Sequence, residues 1–157
     1  SQPLISRHYG MGELKNALTV RRYAFTTSLI TAAVLFAALF FTKGYIPVVF
    51  GAGEEAAAIA EHALPYFGIA VCLAAVNRIC TAYFYSVKSN ALAYTTVYGE
   101  VACLAVFAVL FPMAWGLDGL WIANPASQAV VAVLGTAFCI VSDRKQKRKF
   151  ADEKAEQ

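Results

Sequence analysis

The sequence predicts an all-α integral membrane protein with four transmembrane helices, and three observations carry that prediction. Residues of the AVILMFWYC set make up 59% of the 157 positions and charged residues only 15%, with a mean hydropathy of +0.57. Soluble domains run nearer to about 45–50% apolar and about 25% charged, so a chain this short leaves more apolar surface than one core can hide, and a bilayer is its natural solvent. The apolar residues also fall into four long runs that are apolar all round rather than striped. That argues for spanning helices over amphipathic surface helices. Finally, the runs lack period-two alternation and are twice the length of a barrel strand, which favours helices over the strands of a transmembrane β-barrel.

The first run, Tyr23 to Phe41, has no charged residue in 19 positions and covers roughly 28 Å as a helix, one hydrocarbon thickness. Its position past residue 22, its length and the lack of a cleavage site rule out a secretory signal peptide. The second run, about 64–87, carries Asn77 and Arg78 and is expected to open at Pro65. The third, about 91–111, carries Glu100. The fourth, about 120–141, is interrupted only by Asn124-Pro125 and Ser127-Gln128. Between the first two, "GAGEEAAAIAEHALP" reads as a turn and a short alanine-rich helix, with Glu54 and Glu55 suiting its N-terminal dipole.

Orientation follows from the basic residues. Segment 1–22 holds Arg7, Lys15, Arg21 and Arg22, the tail 142–157 holds six more, and Lys88 lies in the turn between the second and third runs. The loops 42–63 and 112–119 hold Lys43 alone, against Glu54, Glu55, Glu61 and Asp118. Eleven basic residues against one place both termini and the middle turn in the cytoplasm, in a multi-pass protein of the plasma (inner) membrane.

Arg78 and Glu100 are the only full charges well inside the runs, where each alone is costly. Each lies nine residues from the cytoplasmic hairpin, so both sit roughly 13 Å deep. They read either as an ion pair that fixes helix packing, as a protonatable carboxylate tuned by Arg78 for ion coupling, or as unpaired residues. Asn77 points about 100° away from Arg78 round the helix. Asn124, Ser127 and Gln128 form a polar stripe that lines a cavity or joins helices, and Pro125 is a candidate hinge.

Other features predict less. Tyr83, Phe84 and Tyr85, with Trp115 and Trp121, read as interfacial aromatics. The four cysteines lie in apolar runs without ligand spacing and read as reduced core residues, so no metal site is expected. His8 and His62 read as solvated. "GMG" and "GAG" lack a nucleotide-loop context, and the net charge of +3 is no argument for nucleic acid. No catalytic constellation appears, so the chain is not expected to be an enzyme, and no cofactor is expected beyond H+ or Na+ as a coupling ion.

The stretch "QPLISRHYGMGE" resembles a cytoplasmic segment of the multidrug and toxin extrusion (MATE) transporters, through Gln2, Pro3, Leu4, Ile5, Ser6, Tyr9, Gly10 and Gly12. "ALPYFGI", "AYFYSVKSNALA" and "GLDGLWIANPASQ" follow in the family's order. The resemblance implies twelve helices in two six-helix lobes, with this chain as the last four and eight helices missing before it. It implies export of small amphipathic or cationic compounds, driven by a proton or sodium gradient through rocking of the lobes. Members with a cation site in this lobe carry an Asp in the tenth helix; the second run here has none, which leaves Glu100 as the one intramembrane carboxylate. Alternatives are a complete small four-helix exporter, a non-transport scaffold subunit, or a lipid-linked oligosaccharide flippase of a related branch.

Overall fold

The computed structural model describes residues 2–155, which form five helical elements: α1 (Gln2–Gly10), α2 (Leu14–Thr42), α3 (Ile46–Val49), α4 (Glu54–Ser86) and α5 (Asn90–Ala155). No strand occurs among the described residues. By length and apolarity, three helices can cross a membrane: Lys15–Thr42, Glu54–Ser86 and Asn90–Gln146.

The expected third and fourth runs are two helices that meet at a sharp kink, with no open loop at 112–119. Helix continues through Pro112, and only Gly116 leaves helical geometry, at φ 59° and ψ −138°. A side chain disfavours that conformation, which glycine reaches freely. Beyond it the chain doubles back. A Cβ on Gly119 would collide with the backbone of Phe111 and Pro112, residues that a straight helix would hold roughly 10 Å away or more. Further along, Gln128 bonds Glu100 and Gly135 sits beside Thr96, so the proximal limb (90–115) and the distal limb (117–155) run antiparallel.

The predicted boundary at Pro65 also moves. The alanine-rich loop helix and the second run are one helix of 33 residues with Pro65 inside it. Proline frees only the Glu61 carbonyl there, a loss long helices tolerate when neighbours re-satisfy the backbone. Residues 2–22 are likewise helical on both sides of a turn at Gly12 (φ 76°), with α2 starting nine residues before Tyr23.

Two turns share one cap geometry. After α1, the Glu13 amide bonds the His8 carbonyl at 2.9 Å and the Gly12 amide bonds Tyr9 at 3.1 Å. After α4, the Ser89 amide bonds Phe84 at 2.9 Å and the Lys88 amide bonds Tyr85 at 3.3 Å. Both are Schellman caps, which need a left-handed residue at the second-last position. Glycine supplies it at 12; Lys88 accepts it at φ 58°, at a cost of roughly 1 kcal/mol. The second cap makes the α4–α5 hairpin tight and sets the depth register of everything above it.

The helices form an up-down-up-down bundle in which α4 touches every other element. Cys72 of α4 bonds the Ala32 carbonyl of α2 at 3.5 Å, and Gly68 lets the Phe36 ring press against the α4 backbone. The buried core lies at the α1 end: Ile5, Ala17, Cys80, Tyr83, Phe84, Val87, Ala93 and Cys139. Tyr83 and Phe84 are thus core residues, not interfacial aromatics, because α1 lays Ile5 over them; of the triplet only Tyr85 is exposed. Elsewhere Ile30, Val34, Leu35, Phe41, Val101, Val109 and Val133 face outward, a surface suited to hydrocarbon or to further helices.

Candidate functional site

One polar network lies about three-quarters of the way along α4, at Asn77 and Arg78. Arg78 Nη2 donates to Glu100 Oε1 at 3.4 Å, and Gln128 Nε2 donates to the same oxygen at 2.9 Å. Asn77 Nδ2 donates to Gln128 Oε1 at 2.7 Å and to the Gln128 carbonyl at 3.2 Å. The chain Asn77–Gln128–Glu100–Arg78 therefore links α4 to both limbs of α5. Asn77 and Arg78 point to different sides of α4, as adjacent helical residues do, yet they join one network from its two ends. Asn77 is buried, while the Arg78 side chain is 66% exposed and that of Glu100 17%. Asn77 Oδ1 is buried without a hydrogen-bond partner, and an unmet acceptor of this kind costs about 1–3 kcal/mol.

The rest of the stripe on the distal limb does not enter the network. Ser127 is buried and spends its hydroxyl on the Asn124 carbonyl at 2.8 Å. Asn124 is half-buried, and its side chain makes none of the described hydrogen bonds. Helix continues through Pro125; the sharp break in this element is at Gly116.

A second network, barely signalled in the sequence, ties the α1 end of the bundle together. Arg21 meets Asp143 in a two-pronged pair, 2.7 Å from Nη1 to Oδ1 and 2.6 Å from Nη2 to Oδ2. The Tyr83 hydroxyl donates to Asp143 Oδ1 at 2.6 Å, and the Arg21 guanidinium lies 4.3 Å from the Tyr83 ring centroid. Tyr9 donates to Gln146 at 2.8 Å nearby, and Ser86 donates to the Gln2 carbonyl at 3.3 Å. α1, the start of α2, the end of α4 and the end of the distal limb thus converge at one end. The one available signal was that Asp143 is an isolated acid at the head of a basic tail.

Outside the spans, His8 is not free: its Nδ1 lies 2.7 Å from Glu13. The Asn16 amide, and after it His8, hold the Glu13 carboxyl below the usual carboxylate range. His62 likewise pairs with Asp118 at 3.0 Å. Among the described residues no three His, Cys, Asp or Glu side chains gather as a metal site would need.

Long apolar helices, outward apolar faces and an ionisable network between them are those of a multi-pass helical membrane protein. Comparison with known families gives the particular one. The MatE family model matches residues 1–110, and the chain belongs to that family, the MATE transporters, whose members move small molecules across membranes and are not enzymes. No curated protein and no solved structure matches it significantly.

Proposed function

We propose that the chain supplies the last four crossings of a cation-coupled antiporter, using protons or sodium, that exports drugs or other organic compounds by alternating access in the plasma (inner) membrane. Gly116 then turns the chain at the outer face, and both ends stand in the cytoplasm. The antiparallel limbs of α5 support four crossings, since a straight helix of 57 residues would be about 85 Å long against a core of about 30 Å. The eleven basic residues at the α1 end support the orientation. The eight preceding helices of the lobed architecture cover part of the apolar surface that stands open here.

The observation that carries the reading is the Arg78–Glu100 arrangement. A guanidinium that is two-thirds exposed and about 12 Å above the hairpin cannot face lipid without heavy cost; it faces water or another part of the transporter. Glu100 is reached from that side through Arg78 and from the core side through Gln128. Charged, it accepts from both. Protonated on Oε2, it loses its charge attraction to Arg78 and keeps Oε1 as an acceptor for Gln128, whose own Oε1 stays engaged by Asn77. The unpaired Asn77 Oδ1 is an acceptor in reserve for a water or a coupling ion.

The test is gradient-driven efflux of a fluorescent cation such as ethidium from proteoliposomes of the full-length transporter. Glu100→Gln is expected to lower efflux at least tenfold with expression and insertion intact. Efflux at the wild-type rate would remove Glu100 from coupling. A second reading, in which the network only fixes packing, is favoured by its bridging of α4 to both limbs. It predicts that Glu100→Gln lowers thermal stability and leaves efflux per folded molecule unchanged.

A further inference from the structure

A groove of about 360 Å3 runs between α2 and the distal limb at the α1 end. Phe25, Thr136, Cys139 and Ile140 wall it, and Arg22 with Thr26 forms its rim. The rim stands where the sequence changes character: Arg22 is the last charge before the apolar run of α2, and Arg144 is the first basic residue after that of the distal limb. Arg144 follows Ile140 by one helical turn, so it stands on the same edge of the limb. Arg21, which also lines the groove, is spent on Asp143. Arg22 and Arg144 are both exposed, and neither has an ion pair among the described residues. The acid nearest in sequence to Arg144, Asp143, is saturated by Arg21 and Tyr83.

We propose that this groove binds one anionic phospholipid of the cytoplasmic leaflet. Its phosphate sits between the guanidiniums of Arg22 and Arg144, and an acyl chain lies along Phe25 and Ile140. Charge complementarity selects the occupant: two uncompensated arginines at the boundary of an apolar slot suit a phosphate that carries a net negative charge and a hydrocarbon tail. A zwitterionic lipid offers the tail but brings its own cation to the same rim. Seated there, the lipid spans α2 and the distal limb beside the Arg21–Asp143 pair and strengthens that junction from outside. This goes beyond transport and stands whether or not Glu100 couples an ion.

The experiment is native mass spectrometry of the protein released from micelles containing equal phosphatidylglycerol and phosphatidylcholine with identical acyl chains. Wild type is expected to retain one phosphatidylglycerol at least tenfold over phosphatidylcholine. The R22Q/R144Q variant drops to the phosphatidylcholine level, and R22K/R144K keeps part of the preference. K145Q/R148Q, which thins the charge of the tail away from the groove, keeps it in full. Equal retention of the two lipids by wild type overturns the proposal, as does retention of no lipid, which is the outcome if a protein segment fills the groove. Loss of preference in K145Q/R148Q but not in R22Q/R144Q overturns it in favour of general attraction to the tail. Displacement by millimolar inorganic phosphate overturns it in favour of a free-anion site. Both arginines are exposed, and circular dichroism verifies that each variant keeps its helix.

Discussion

Two arginine–carboxylate pairs stand at different heights in this bundle, and they are built for different ends. Arg21 and Asp143 meet with two short, parallel hydrogen bonds at 2.7 and 2.6 Å, their side chains only 13% and 19% exposed. The Tyr83 hydroxyl and ring complete the enclosure. Arg78 and Glu100 meet through one nitrogen at 3.4 Å, with the arginine two-thirds exposed and the carboxylate shared with Gln128. The first pair is a clamp: geometry and burial make it strong while intact and costly to break from one side. The second can release and reform at little cost, because an exposed partner recovers solvation when it lets go. Identical residue types thus give a fastener at the bundle's end and a loose contact at its middle, and the difference lies in enclosure rather than in charge.

That comparison can be broken most directly at the clamp. Asp143→Asn keeps the shape and removes the charge, leaving Arg21 enclosed without a counter-ion. The expected loss is about 3 kcal/mol of stability, read as a lower midpoint in thermal unfolding in detergent or nanodiscs; a shift within error would mean that the clamp adds nothing. Tyr83→Phe probes the same site more gently. It keeps the ring over Arg21 and deletes one hydrogen bond to a charged acceptor, for an expected loss of about 1.5–3 kcal/mol, below that of Asp143→Asn. The ranking of the two variants is itself a check, since a larger effect from Tyr83→Phe would mean that the tyrosine and not the ion pair is the fastener. The mid-span pair gives the smallest effect: a double-mutant cycle on Arg78→Gln and Glu100→Gln should return a coupling of about 0.2–1 kcal/mol. A coupling as large as the clamp's would erase the distinction between the two sites.

How much of this was legible depends on the element. The depth match of Arg78 and Glu100 was readable because a tight turn leaves two antiparallel helices in register, and counting from it fixes height. Gln128 was readable as a polar residue on the right helix, but not as the partner of Glu100, since nothing in a helix's sequence says which face its neighbour will take. Asn124 has the same credentials as Gln128 and stays out of the network. Tyr83 reads as an interfacial aromatic until α1 is seen lying over it, and α1 itself was hidden by a proline and two glycines that suggest a loop. Pro65 reads as the opening of the second run and 112–119 as a loop, yet helix runs through Pro65 and Pro112. Gly116, which does break the last element, lies in the expected loop without a local mark that sets it apart from Gly119.

Composition, run length and charge distribution alone determined that the chain is helical, that it belongs in a membrane, and which ends of its helices share a side. These are sums over many residues and survive any local rearrangement. Tertiary structure alone decided which side chains meet. Successive residues turn by about 100° round a helix, so contact depends on how each helix is rotated against its neighbours, and packing of Ile5, Tyr83, Phe84 and Cys139 sets that rotation.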